Sequence, residues 1–189
     1  MDGIMNGQGV LVDPTAKAFV ARHVSAPVLR FPCVVALVDG TLNKKSAWGK
    51  GMLDAVQQSI AAAGWPATFA RIDLNPLDNP QPDLWVASVL REIDAMVVVG
   101  GDCVTCTTRG VRDAVWANAA GIRSVSVVTS AVADVAAAVC ASYGMPDLPI
   151  LAVRQSLYGK SRDEIAIAVQ PDVQRIGDVL FGAKGTHGE

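Results

Sequence analysis

Short apolar runs, rich in β-branched residues, recur along this chain, and each is followed by a segment whose apolar residues return at helical spacing. That alternation constrains the fold more than any other feature. Cys33–Val38 ends at Asp39-Gly40, and Ala67–Ile72 runs into a turn-rich stretch, Asp73 to Pro82, that holds three prolines. Ala95–Val99 ends at Gly100-Gly101, Ser124–Val128 is followed by Thr129-Ser130, and Ile150–Val153 leads into the polar loop Arg154–Lys160. Val97, Val98 and Val99 show no polar alternation, the pattern of a strand covered on both faces in a parallel sheet.

Helices are expected between these runs. Trp48–Ala63 places Met52, Val56 and Ile60 on one stripe with Gly64 as C-cap, and Asp83–Ile93 does the same with Trp85, Val89 and Ile93. A third helix starts within a residue or two of Thr105 and ends near Ala120 at Gly121, and a fourth covers Ala133–Ser142. Ser161-Arg-Asp-Glu164 has capping-box spacing and opens another, with Asp172–Phe181 closing the fold. Strands joined through helices by right-handed crossovers give an α/β, three-layer sandwich around a five-stranded, mainly parallel sheet, flavodoxin-like or Rossmann-like.

A chain of 189 residues suffices for a single domain with its own core; residues 1–30 read as an arm packed on it and 184–189 as a flexible tail. The residues are 51% hydrophobic but 5% aromatic, and 18% are charged, against about a quarter in an ordinary globular domain. An Ala- and Val-rich interior follows, and a surface partly covered by another subunit, so a homo-oligomer is expected. A net charge of −2 without a basic block excludes the electrostatic footprint of a nucleic-acid binder. Neither a secretory signal nor an apolar stretch of about 18 residues occurs, so no membrane partner is expected and the expected location is cytoplasmic. Thiols there are kept reduced, and a C-x-x-C pair is more often catalytic, redox-active or metal-binding than a staple.

Such a pair, Cys103 and Cys106, stands directly after Gly100-Gly101-Asp102, where the central strand turns into a helix. Backbone amides and the positive end of the helix dipole favour a thiolate there, so Cys103 is assigned as attacking sulfur and Cys106 as resolving sulfur. Asp102 opposes this by its charge unless its side chain turns away or shuttles protons. Other readings stay open: Cys106 as a small buried residue, or a phosphate-binding turn at Gly100-Gly101 without the full glycine fingerprint. A zinc site lacks partners, because Cys33 lies in a strand and Cys140 in a helix, with no ligand spacing to either.

In an open α/β sheet the loops at the carboxyl ends of the strands form the active edge. Asp39, Asn43, Lys44, Thr107, Thr129, Ser130 and Arg154 fall there and are the candidates to bind a small-molecule substrate: Lys44, Lys45 and Arg154 toward a carboxylate, the hydroxyls toward an oxygen. Each hydroxyl is also a satisfactory helix cap, and capping is its commoner job; Thr41–Ser46 equally suits an ordinary solvated loop. Arg109, on the first helical turns, could support a thiolate. His23 belongs to the arm and is given no role, and so few aromatic rings offer no stacking platform for a flavin or nucleotide cofactor.

The segment Gly100-Gly-Asp-Cys-Val-Thr-Cys-Thr-Thr-Arg-Gly-Val-Arg-Asp-Ala114, with Gly121-Ile-Arg-Ser-Val125 and Leu157-Tyr-Gly-Lys-Ser-Arg-Asp-Glu-Ile165, resembles the UGSC family. That family's signature is a selenocysteine or cysteine, two small residues and a cysteine, and it is distantly related to the selenoprotein B subunits of glycine and betaine reductases. The resemblance runs from about Val10 to Leu180, with Val104-Thr105 in place of Gly-Ser. It puts Cys103 at the selenocysteine position and Cys106 at the second cysteine. It implies redox or nucleophilic sulfur chemistry without fixing the reaction. Three readings of the pair follow: a reductive reaction reset by a thiol or thioredoxin-like reductant, a non-redox covalent enzyme such as a lyase, hydrolase or racemase, or a small-molecule-binding subunit of a reductase-type complex.

Overall fold

The computed structural model describes residues 4–5, 11–12, 29, 31–41, 47–72, 92–154, 157 and 159–182. Near the start, β1 (Ile4–Met5) and β2 (Leu11–Val12) form a small antiparallel pair. The main sheet holds β3 (Cys33–Asp39), β4 (Ala67–Ile72), β5 (Ala95–Gly101), β6 (Arg123–Thr129) and β7 (Ile150–Val153), every neighbouring pair parallel. The helices are α1 (Ala47–Ala62), α2 (Val104–Ala119), α3 (Ala133–Ser142), α4 (Arg162–Val173) and α5 (Ile176–Phe181).

The strands lie in the order β4-β3-β5-β6-β7. Chain direction across the sheet therefore reverses once, between β3 and β5, and the carboxyl ends of those two strands flank the crevice that such a reversal opens. This is the flavodoxin-like alternative of the expected sandwich. All seven residues of β5 are buried, as its unbroken valines require of a central strand, whereas β4 at the edge is mostly half-buried.

Alternate residues feed two cores. Val35, Leu37, Val97, Val99, Val125 and Val127 face one side with Met52, Val56 and Ile60 of α1, Ile165 and Val169 of α4 and Phe181 of α5. Ala36, Val38, Met96, Val98 and Val128 face the other with Val111 and Val115 of α2 and Ala136 and Cys140 of α3. Helix α1 crosses α4 at Gly51, where a Cβ would stand 2.6 Å from the Arg162 carbonyl oxygen and 2.8 Å from Ile165 Cβ.

The capping box at Ser161 and Glu164 is present, both reciprocal bonds included. The final segment departs from expectation: α4 continues through Pro171 to Val173, so Asp172 lies in the last turn of that helix rather than opening the last one. Pro171 withholds one amide from the ladder, and the residue whose carbonyl would have received it, Ile167, is 75% exposed. Asp172 is anchored by accepting from the Arg154 amide at 2.9 Å. Most of the helix expected over Asp83–Ile93 lies outside the described residues, as do nearly all of the arm and the tail. No helix among the described residues is long and apolar enough to cross a membrane.

Candidate active site

Two glycine contacts set the site. Gly100, near the end of β5, has Thr107 Cα 3.2 Å from the position a Cβ would take, and Gly110 in α2 has Gly100 Cα at 3.0 Å from its own. Any side chain at either position would push helix from strand, so the glycines seat the first turns of α2 on the end of β5. Between them Gly101 takes φ +100°, a conformation glycine adopts without strain, and the register with β6 slips across Val99 and Gly101.

Cys103 is the N-cap of α2. Its backbone is extended, its Sγ accepts a hydrogen bond from the Cys106 amide at 3.2 Å, and its carbonyl accepts from the Thr107 amide at 2.9 Å. An N-terminal amide and the helix dipole thus place positive potential at an exposed sulfur. Cys106, one turn on, is 7% exposed, and the two sulfurs are 2.6 Å apart. That is inside ordinary non-bonded sulfur contact and about half an ångström beyond a disulfide bond.

The other two cysteines differ sharply. Cys33 and Cys140 are fully buried; burial pushes the Cys140 thiol up to about 11, and burial followed by the charge of Asp94 raises that of Cys33. Among the described residues no cluster of three His, Cys, Asp or Glu is placed to hold a metal ion.

Asp39 ends β3, paired with Val99 of β5, and is 2% exposed. Its Oδ1 accepts from the Thr41 amide at 2.9 Å and the Thr41 hydroxyl at 2.6 Å. The carboxylate packs on the first turn of α1, where a Cβ on Gly49 would stand 2.6 Å from Asp39 Cγ. The positive end of α1 is a favourable place for its charge. Asp102 is half-buried between Gly101 and Cys103. Asn43 and Lys44, with Lys45, lie outside the described residues.

The hydroxyl candidates do not cap. Thr107 lies inside α2, fully buried, and its Oγ1 has no hydrogen-bond partner among the described residues. Thr129 precedes the short 3₁₀ turn Ser130–Val132 and is 2% exposed, yet its side chain makes no capping bond. Ser130 is exposed as the first residue of that turn. The capping role at this edge belongs to Cys103, because the chain enters α2 at the cysteine itself. Arg154 sits past β7, two strands from β5, and its Nε is 3.1 Å from Asp172 Oδ1. Arg109 is half-buried; burial, then the neighbouring Arg112, pushes its guanidinium below the ordinary value, while Asp113 and Cys106 pull the other way.

Thr41, expected only as part of the loop Thr41–Ser46 at the lip of the site, takes a place of its own through Asp39. Asp-Gly-Thr carries its signal, since an Asp side chain at the end of a strand commonly bonds the backbone two residues on. A concavity of about 220 Å³ lies at the opposite, amino-terminal end of the sheet, beside Arg123, Ser124 and Pro149, away from the cysteines.

A doubly wound α/β protein of the flavodoxin-like kind, with two adjoining thiols at its topological switch point, is what fold and site together define. The chain belongs to the UGSC family, whose model matches residues 10–182. No curated protein matches it.

Proposed function

We propose that this protein is a cysteine-dependent enzyme that reduces a small organic molecule, with Cys103 as the attacking thiolate and Cys106 as the resolving thiol. The observation that carries this reading is the pairing of an exposed, amide-bonded sulfur with a buried one 2.6 Å away. One sulfur meets solvent, where a substrate arrives, and the other is held where only its mate can be attacked.

For a substrate R–Y the steps balance as follows. The Cys103 thiolate attacks R, an S–R bond forms, and Y leaves with its electron pair and takes a proton. The Cys106 thiolate then attacks Cys103 sulfur; the S–S bond forms, the S–R bond breaks, and R leaves with the pair and takes the second proton. The net change converts R–Y and two thiols into R–H, H–Y and a disulfide, with two electrons supplied by sulfur. An external dithiol, free or on a thioredoxin-like protein, reduces the disulfide by exchange at exposed Cys103. Because R departs as an anion, suitable substrates carry the leaving group next to an electron-withdrawing centre such as a carbonyl.

Intact mass after incubation with such compounds tests the scheme. The wild type is expected to lose two hydrogens and Cys106→Ser to retain the R adduct on Cys103. Full turnover by Cys106→Ser overturns the reductive scheme in favour of a non-redox covalent reaction, and an inert Cys103 overturns both.

A further inference from the structure

We propose that Thr41 is a positioning residue for the resolving step, its methyl group closing the space into which the Cys106 sulfur would otherwise swing away from Cys103. The inference rests on the dithiol reading above. At Gly101 the point where a Cβ would sit is bounded by Cys106 Cβ at 3.2 Å, Thr41 Cγ2 at 3.6 Å and Cys106 Sγ at 3.9 Å. Thr41 and Cys106 therefore flank one small space left empty by glycine, at the junction of β3 and β5.

The orientation of Thr41 is dictated from behind. Asp39 Oδ1 takes both its amide, at 2.9 Å, and its hydroxyl, at 2.6 Å, which fixes the side-chain rotamer and turns the remaining γ substituent, the methyl, toward Gly101. Thr41 is 6% exposed and Asp39 2% exposed, so neither bond is traded for water. Asp39 is itself braced by α1 at Gly49. A line of packing thus runs from α1 through Asp39 to Thr41, whose methyl borders the same space at Gly101 as the buried sulfur. Displacement at a disulfide needs the attacking sulfur aligned with the bond it breaks, and a small misplacement of a reacting atom is costly in rate.

Two near-isosteric substitutions separate the methyl from the hydroxyl. Thr41→Ser keeps the bond to Asp39 and deletes the methyl. Thr41→Val loses that bond but leaves a methyl toward Gly101, since both its γ positions are methyls. The reduced protein is mixed with an aromatic disulfide whose released thiolate absorbs light: the first release reports mixed-disulfide formation at Cys103, the second its resolution by Cys106. In Thr41→Ser the second phase is expected to slow about tenfold with the first unchanged, while Thr41→Val keeps the wild-type second phase even if it melts earlier. A merely structural role gives the reverse, Val perturbed and Ser silent, and overturns the proposal, as does an unchanged second phase in both. A wild type that releases only the first thiolate overturns the dithiol reading, and the role of Thr41 with it.

Discussion

Gly49→Ala puts a methyl group 2.6 Å from the Asp39 carboxyl carbon, a separation that real Cβ contacts do not show. Asp39 cannot retreat as a whole, because its backbone is the last paired residue of β3, in register with Val99. Its carboxylate must rotate, and both bonds to Thr41 stretch or break. A hydrogen bond to a charged group contributes about 1.5–3 kcal/mol, so loosening two at the lower end costs about 3 kcal/mol. Alanine returns about 1 kcal/mol of helix propensity in α1. The net loss is about 2 kcal/mol, which for a chain of this length lowers Tm by roughly 4–8 °C. Thermal melting followed by far-UV circular dichroism, under reducing conditions, measures it, with exposed Lys50→Ala expected to shift Tm by no more than about 2 °C as control. A Gly49→Ala Tm equal to or above the wild type refutes the reasoning, since helix propensity alone would then govern the position.

Cys140, raised to about 11 by burial, is expected to resist alkylation of the native protein at pH 8 and to react once denaturant exposes it; mass-mapped labelling before and after unfolding checks this. Asp54 is held below the ordinary carboxylate value first by its hydrogen bond to Arg162 and further by Arg71. A depressed folded-state value means that its stabilisation is present above the ordinary carboxylate range and lost as pH falls through the lowered value. Asp54→Asn should therefore flatten the acid limb of a stability-against-pH curve, with the difference from wild type shrinking at low pH and at high salt. Equal acid limbs for the two proteins would remove Asp54 from that account.

Where local chemistry and tertiary position coincide, the residues could be read directly. The charge-free valines of β5 specify a central strand whatever surrounds them, and Ser161 with Glu164 starts a helix by bonds made within four residues. Cys103 and Cys106 are three residues apart in the chain, so the turn that pairs them is local as well. Contacts that depend on sheet order are another matter. That Thr41 and Cys106 border the same space at Gly101 follows only once β3 is known to lie beside β5. The three hydroxyls suggested caps because Ser and Thr usually serve that way, yet here the helix begins at the cysteine and leaves Thr107 and Thr129 under cover. The closing segment expected from Asp172 starts later, because a missing amide close to a helix end is tolerated and α4 runs past Pro171 to Val173.

The two half-interiors of this molecule share a single partition, and the cysteine turn grows from the rim of that partition. β5 gives Val97 and Val99 to one side and Met96 and Val98 to the other. Both α4 and α3 thus lean on the one strand whose end carries the cysteine turn, even though the bond that closes that turn is made locally.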